Sequence, residues 1–331
     1  MVNFIGKNIL MFYTYGATGH LGEAIKKELI SRGASVIGYD ERPSQNTFVK
    51  IGIRLLKNKV PHLIDLYIKK IISDNAHIQF DYILICKGEA FTPHTFSLLR
   101  KAYPNAKIIL YLWDILKCAD LRRNIPFADK AFSFDPQDVE ENEGLIFRPT
   151  FYDQEYKDVE KCQSPKYDVM FIGTLHSDRH LVIKEVEKRM SGENRRFYSY
   201  LYVPSRLVYI RDLIKKFPYV SLNKVHFVPI SVSGIIDVLK VSKAILEINY
   251  TGQKSLTTRA FEALAAKRKY ITTNPEVMKY DFYNPNNIAV VDINNFLLPE
   301  KFLDTPFEDI DETVVHRYSV AGVVDDLFDG M

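Results

Sequence analysis

Apolar residues fall into two alternating rhythms along the chain. Short continuous runs ("NILMFYTYG", "ASVIGYD", "FDYILICKG", "AKIILYLWD", "KAFSFD") read as buried strands. Longer amphipathic stretches separate them. "HLGEAIKKELISRG" places Leu21, Ile25, Leu29 and Ile30 on one helical face and stops at Gly33, and "PHLIDLYIKKIISDN" and "PHTFSLLRKAYP" read as further helices. Strands separated by helices predict a parallel sheet covered on both faces. The rhythm pauses at "FRPTFYDQEYKDVEKCQSPK", where polar residues with Pro149 and Pro165 read as a linker. It then resumes with strands "YDVMFIGT", "FYSYLYV", "AILEIN", "KYITTN" and "NIAVVD", a short strand or loop at "KVHFVPIS", and helices "DRHLVIKEVEKRM", "PSRLVYIRDLIKKF", "VSGIIDVLKVSK" and "LTTRAFEALAAKR". The pattern predicts two α/β domains with Rossmann-like parallel sheets, facing each other across a cleft. Their sites are expected beyond the carboxyl ends of the strands.

Composition narrows the functional classes. The 331 residues are 47% hydrophobic and 26% charged with a net charge of +3, which excludes the strong basic stripe of a nucleic-acid protein. Basic clusters occur at Lys69-Lys70, Arg122-Arg123, Arg195-Arg196, Lys215-Lys216 and Lys267-Arg268-Lys269. They read mostly as solvated faces, some of which could touch an anionic membrane surface. Cys86, Cys118 and Cys162 are far apart and form no CxxC pair, so neither a zinc site nor a disulfide framework follows, and a reducing cytosol is the simplest setting. Neither a signal peptide nor a membrane span is expected.

The first chemical signal is "YTYGATGHLGEAIKKELISRGASVIGYDERP". Gly16, Gly19 and Gly22 have the spacing of a dinucleotide-binding turn between strand and helix, and Asp40 follows at a distance suited to a ribose. "GATGHLG" is similar to the opening of the short-chain dehydrogenase/reductase family. That family's Tyr-x-x-x-Lys pair has one match, Tyr103…Lys107, interrupted by Pro104. Any tight turn from strand to helix also favours glycine and presents free N–H groups to a ligand.

Three later segments carry a broader resemblance: "ILICKGEAFTPHTFSLLRKAYPNAKIILYLWD", "YDVMFIGTLHSDRHLVIKEV" and "LTTRAFEALAAKRKYITTNPEVMKYDFYNPNNIAVVD". Together they resemble bacterial glycosyltransferases of the GT-B architecture, of the lipopolysaccharide core and capsular polysaccharide group, over most of the chain to about Asp292. The resemblance implies an acceptor-side domain over 1–150 and a nucleotide-sugar domain over 151–306. It also implies a final helix in 307–331, in "ETVVHRYSVAGVVDDLF", that returns to the first domain. It implies sugar transfer from a nucleotide-sugar substrate to a glycan or lipid-linked glycan. No cofactor or catalytic metal is expected, and the protein would be cytoplasmic, with peripheral contact to the inner membrane admitted.

Site residues follow from both lines. Thr257 or Thr258 can cap the helix of "TTRAFEAL", and Arg259 and Glu262, three apart, project on one side near its start. Arg259 suits a phosphate and Glu262 a ribose, the latter by the resemblance; as a plain surface pair they would contribute little. Gly173, Thr174, His176, Ser177 and Arg179 could meet the diphosphate, with Lys254 a further phosphate ligand and Tyr250 a stacking surface. On the acceptor side stand Tyr15, Gly16, Gly19, Lys87 and Trp113. An inverting transfer needs a base to take the acceptor proton, and Glu89 and Asp114 are its candidates, unranked between themselves, with His20 behind them in the glycine turn. The one Asp-x-Asp triplet, Asp309-Ile310-Asp311, reads as the charged approach to the last helix. Two other readings stay open: a short-chain NAD(P) reductase built on the glycine turn, and an inactive nucleotide- or sugar-binding module.

Overall fold

The computed structural model describes residues 2–15, 18–43, 61–117, 121–160, 164–175, 179–215, 224–249, 253–292 and 295–331. The chain forms two compact units, Met1–Thr150 with Val320–Met331, and Phe151–Ser319.

In the first unit, strands β1 (Asn8–Tyr13), β2 (Ser35–Asp40), β3 (Tyr82–Cys86), β4 (Lys107–Leu112), β5 (Lys130–Ser133) and β6 (Leu145–Phe147) form one parallel sheet. Its order is β2-β1-β3-β4-β5-β6. Central strands β3 and β4 are buried almost throughout, which is why they read as continuous apolar runs. Helices α1 (Gly19–Ser31), α2 (Pro61–Asp74), α3 (Pro93–Ala102) and α4 (Pro136–Glu141) connect the strands. α3 starts on a capping box: the Thr92 hydroxyl accepts from the Thr95 amide, and Thr95 returns a bond to the Thr92 amide. Gly22 answers to packing: a Cβ there would lie 2.2 Å from the Tyr13 ring.

The second unit repeats the plan. Residues Gln154–Lys157 form the short helix α5, followed by β7 (Tyr167–Thr174), α6 (Arg179–Gly192), β8 (Phe197–Tyr202), α7 (Arg206–Lys215) and β9 (Val225–His226). Then come α8 (Val232–Lys240), β10 (Ser242–Glu247), α9 (Thr258–Ala265), β11 (Lys269–Thr272) and β12 (Ile288–Val290). The parallel sheet runs β12-β11-β10-β7-β8-β9. α9 buries Ala260, Phe261 and Leu264, with Phe261 stacked on Tyr318 at 5.1 Å. Among the described residues no helix is long and apolar enough to cross a membrane.

Three expectations change. The stretch read as a linker is packed: Phe151, Tyr152 and Tyr156 are buried, and the Tyr152 amide donates to the Tyr318 carbonyl at 3.0 Å. Aromatic residues inside a polar stretch outweigh its average polarity, since each buries a large apolar area. The single returning helix is two, α10 (Glu312–Arg317) and α11 (Val320–Phe328), and only α11 groups with the first unit. There Asp325 pairs with Arg32 at 2.6 Å and Phe328 packs edge-on to Phe4 and Tyr82. Finally, Arg268 and Lys269 are not solvated. Arg268 is buried and donates to the carbonyls of Leu239, Ala266 and Glu160, while Lys269 donates to Asn286 and Thr305.

Candidate functional site

Each sheet reverses its strand order once, and an open α/β sheet binds its ligand beyond the strand ends at such a point. In the first unit the reversal lies between β1 and β3. In the second it lies between β7 and β10. Charged side chains gather at both.

At the first reversal, β3 is followed by Lys87 and Gly88, both in the left-handed backbone region at φ 76° and 73°. A lysine there is uncommon and costs on the order of 1 kcal/mol, so its surroundings must hold it. They do: its amide donates to the Tyr111 carbonyl at 2.7 Å, and its ammonium lies 3.0 Å from Asp114 Oδ2 and 3.6 Å from Glu89 Oε2. Arg42, just after β2, donates to the same Glu89 carboxylate. Glu41 is completely buried and accepts from the Glu89 amide at 3.1 Å through Oε2. Burial pushes the Glu41 carboxyl up to about 7, against the opposing pull of Arg42 and Lys87. Glu41 and Arg42 were not singled out from the sequence. The one legible signal was their place just past a strand end, beside Asp40.

The structure also separates the base candidates. The Glu89 side chain is 9% exposed and engaged by Arg42 and Lys87, whereas that of Asp114 is 34% exposed and pairs with Lys87. His20 is exposed at the second residue of α1. Tyr15 is exposed and donates to the Gly38 carbonyl at 3.3 Å, and Gly19 opens α1. Trp113 is buried beside Tyr111, and its indole N–H meets no hydrogen-bond partner among the described residues. Asp40 is buried, and its carboxylate accepts from the Arg42 amide at 3.1 Å; it is committed to its own turn. Gly16 lies outside the described residues.

At the second reversal, Arg179 spans the two strand ends. Its Nε donates to the Ile248 carbonyl at 3.0 Å and its Nη1 to the Thr174 carbonyl at 3.1 Å. Gly173 leaves room for this: a Cβ there would lie 2.9 Å from the Phe171 ring and 3.5 Å from Arg179 Nη1. Burial lowers the Arg179 pKa, opposed by nearby Glu247. Glu247 ends β10, is buried, and accepts from the Tyr270 hydroxyl. Burial raises its carboxyl, opposed by Tyr270, Thr257 and the two arginines Arg179 and Arg259. Thr257 caps α9, its hydroxyl accepting from the Arg259 amide at 3.3 Å, so Thr258 is the first helical residue. Lys254 is half-buried, and its carbonyl accepts from Asn274 at 3.2 Å. His176, Ser177 and Tyr250 lie outside the described residues.

Arg259 and Glu262 do not form an exposed pair. Arg259 donates to Glu262, whose side chain is only 4% exposed, and buried Tyr156 of α5 lies beside both. Burial opposes the Arg259 charge, but Glu262 and Tyr156 outweigh it and raise its pKa. The sequence spacing of three was correct for contact. What it could not reveal was α5 lying over the pair, because those residues read as linker.

No family model matches the chain, and no curated protein matches it. Solved structures do. A glycosyltransferase from Rickettsia africae ESF-5 is 17% identical, with a TM-score of 0.59, covering 98% of this chain and 99% of that one. Anabaena Alr3699/HepE in complex with UDP-glucose is 14% identical at a TM-score of 0.58, covering 97% and 95%. The apo lipopolysaccharide outer core galactosyltransferase WaaB is 10% identical at 0.56, covering 98% and 100%. The fold of this chain, α/β with two Rossmann-like parallel sheets, is the GT-B fold of these proteins.

Proposed function

We propose that the chain is a metal-independent glycosyltransferase that moves a sugar from a nucleotide-sugar donor to a growing surface glycan, lipopolysaccharide or capsule, at the cytoplasmic face of the inner membrane. The observation that carries the reading is the contrast between the two strand-order reversals. One gathers Arg179, fixed by the Thr174 and Ile248 carbonyls, and Arg259, fixed by Glu262, beside the capped start of a helix, and such fixed positive charge suits a diphosphate. The other presents a partly exposed carboxylate, Asp114, tied to a lysine, a set suited to accepting a hydroxyl proton. A fold shared with a UDP-glucose complex and with a lipopolysaccharide galactosyltransferase supports the donor class and the acceptor class respectively. In this reading the second unit binds the donor, fixed positive groups offset the charge on the departing diphosphate, and Asp114 takes the acceptor proton. No step needs a redox cofactor, and the reductase alternative has no support among these structural relatives.

The test is a thermal-shift panel of UDP, GDP, CMP, dTDP, NAD and NADP, followed by transfer assays with the matching sugar nucleotides, with and without EDTA. One nucleoside phosphate should stabilise the protein, by about 2.7 kcal/mol at a hundred times its Kd. NAD and NADP should not, and transfer should persist in EDTA. A shift with a nicotinamide cofactor alone would overturn the reading, and nucleotide binding without transfer of any sugar would reduce the protein to a binding module.

A further inference from the structure

The geometry points to Glu41 as a positioning residue of the first-unit cluster, its charge state deciding whether Arg42 serves Glu89 alone or is divided between two carboxylates. This rests on the proposed transfer chemistry at Asp114 for its functional consequence, but not for the coupling itself.

One nitrogen carries the argument. Arg42 Nη2 donates to Glu89 Oε2, and the same Nη2 lies 3.6 Å from Glu41 Oε1, beyond hydrogen-bond reach. Glu41 Oε1 is buried and has no hydrogen-bond partner among the described residues, while Oε2 is occupied by the Glu89 amide. A carboxyl held this way suits its neutral form, since a buried carboxylate needs its oxygens satisfied. Among the described residues the charged groups facing Glu41 are Asp40 and Arg42 of its own turn and Lys87 and Glu89 after β3, and Cys86 is a further titratable neighbour. Burial and the like charges of Glu89 and Asp40 raise its carboxyl, and Arg42 and Lys87 lower it, with the balance at about 7.

When Glu41 releases its proton to solvent, a second carboxylate competes for Nη2. Glu89 then leans on Lys87, which at present sits nearer Asp114, at 3.0 Å against 3.6 Å. The chain Glu41–Arg42–Glu89–Lys87–Asp114 thus passes a change of charge from a sealed carboxyl to the accessible one. The expected consequence is a transfer rate with an inflection near neutrality that belongs to Glu41.

The experiment follows the carboxyl carbon resonances of Glu89 and Asp114 by NMR between pH 5.5 and 8.5 in the intact protein and in Glu41→Gln. In the parent, both should shift with one midpoint near 7, and in the variant that inflection should vanish. Glu89→Gln removes the rival carboxylate, so the Glu41 resonance should titrate at lower pH. Stability gives a second readout. The folded pKa of Glu41 lies above its unfolded value of about 4.3, so the folded state holds the extra proton in between. The parent therefore loses stability relative to Glu41→Gln as pH rises from about 4.3 to 7, and the difference levels off above. If Asp114 titrates identically in both proteins, or the stability difference is flat with pH, the proposal fails, whatever the activity. An inflection that follows Glu41 in a protein that transfers no sugar would instead sink the functional reading and leave the coupling standing. In an active protein, the ratio of kcat/KM at pH 8 to that at pH 6 should change at least about threefold on Glu41→Gln; an unchanged ratio would show that Glu41 does not act on the reacting carboxylate.

Discussion

The two sheets are built alike, yet the charges at their strand-order reversals are put to opposite uses. In the second unit both arginines turn inward: Arg179 ties two strand ends through backbone carbonyls, and Arg259 is held by Glu262. In the first unit the cations Arg42 and Lys87 are shared among carboxylates, and one of these, Asp114, keeps contact with water. A backbone device, strand ends diverging at a reversal, thus sets where chemistry is possible. The side chains that close over it decide whether the charge is structural or available. Burial is the discriminating quantity, because a buried ion must be paired at once, while a wet one can wait for a ligand.

Removing the available carboxylate should give the largest effect. Asp114→Asn should lower kcat for sugar transfer by about 10²–10⁴-fold, the usual contribution of a positioned base. Its folding stability should change by no more than about 1 kcal/mol, as for an exposed pair. Glu89→Gln should slow transfer less, since that carboxylate positions Arg42 and Lys87. Steady-state kinetics of both variants beside urea unfolding decides the ranking, and a larger kinetic loss in Glu89→Gln would reverse it.

Next comes the inward-turned pair. Glu262→Ala leaves Arg259 partly buried without its carboxylate and should cost about 3 kcal/mol of stability. Chemical denaturation measures it. A loss below about 1 kcal/mol would mean that the pair behaves as a surface pair after all, and the contrast between the two units would dissolve.

The smallest expected effect is at Arg179. Arg179→Ala frees the carbonyls of Thr174 and Ile248 and should destabilise the protein by about 1.5–3 kcal/mol, the range for a bond to a charged donor. Nucleotide titration beside thermal melts sharpens the comparison. Nucleotide binding should weaken as well, since the fixed charge offsets the diphosphate; lost stability with unchanged nucleotide binding would make Arg179 a strand tie only and remove it from the donor set.

Much of this was legible before folding. Continuous apolar runs such as "YILIC" and "KIILYL" announced central parallel strands, because a strand covered on both faces has no polar side to show. The helix of Arg259 was legible from its threonine cap and apolar period, and the contact of Arg259 with Glu262 from their spacing. The segment from Phe151 to Tyr156 was misread because composition averages over a window. Three buried aromatic residues among acids and lysines look polar on average. Glu41 stayed invisible for a related reason: nothing local distinguishes an acid on a turn from one sealed beneath it.

The sequence by itself determined the alternation of strand and helix, the two parallel sheets, and which residues end each strand. These follow from periodicity and caps, interactions between residues near in the chain. Only the tertiary structure decided which charges are covered. Glu41 is sealed by the turn after β3, Glu262 by a helix a hundred residues earlier, and Asp114 by neither. Burial is a property of whatever packs across a residue from distant parts of the chain, and it is burial that separates a charge holding the fold together from one free to act.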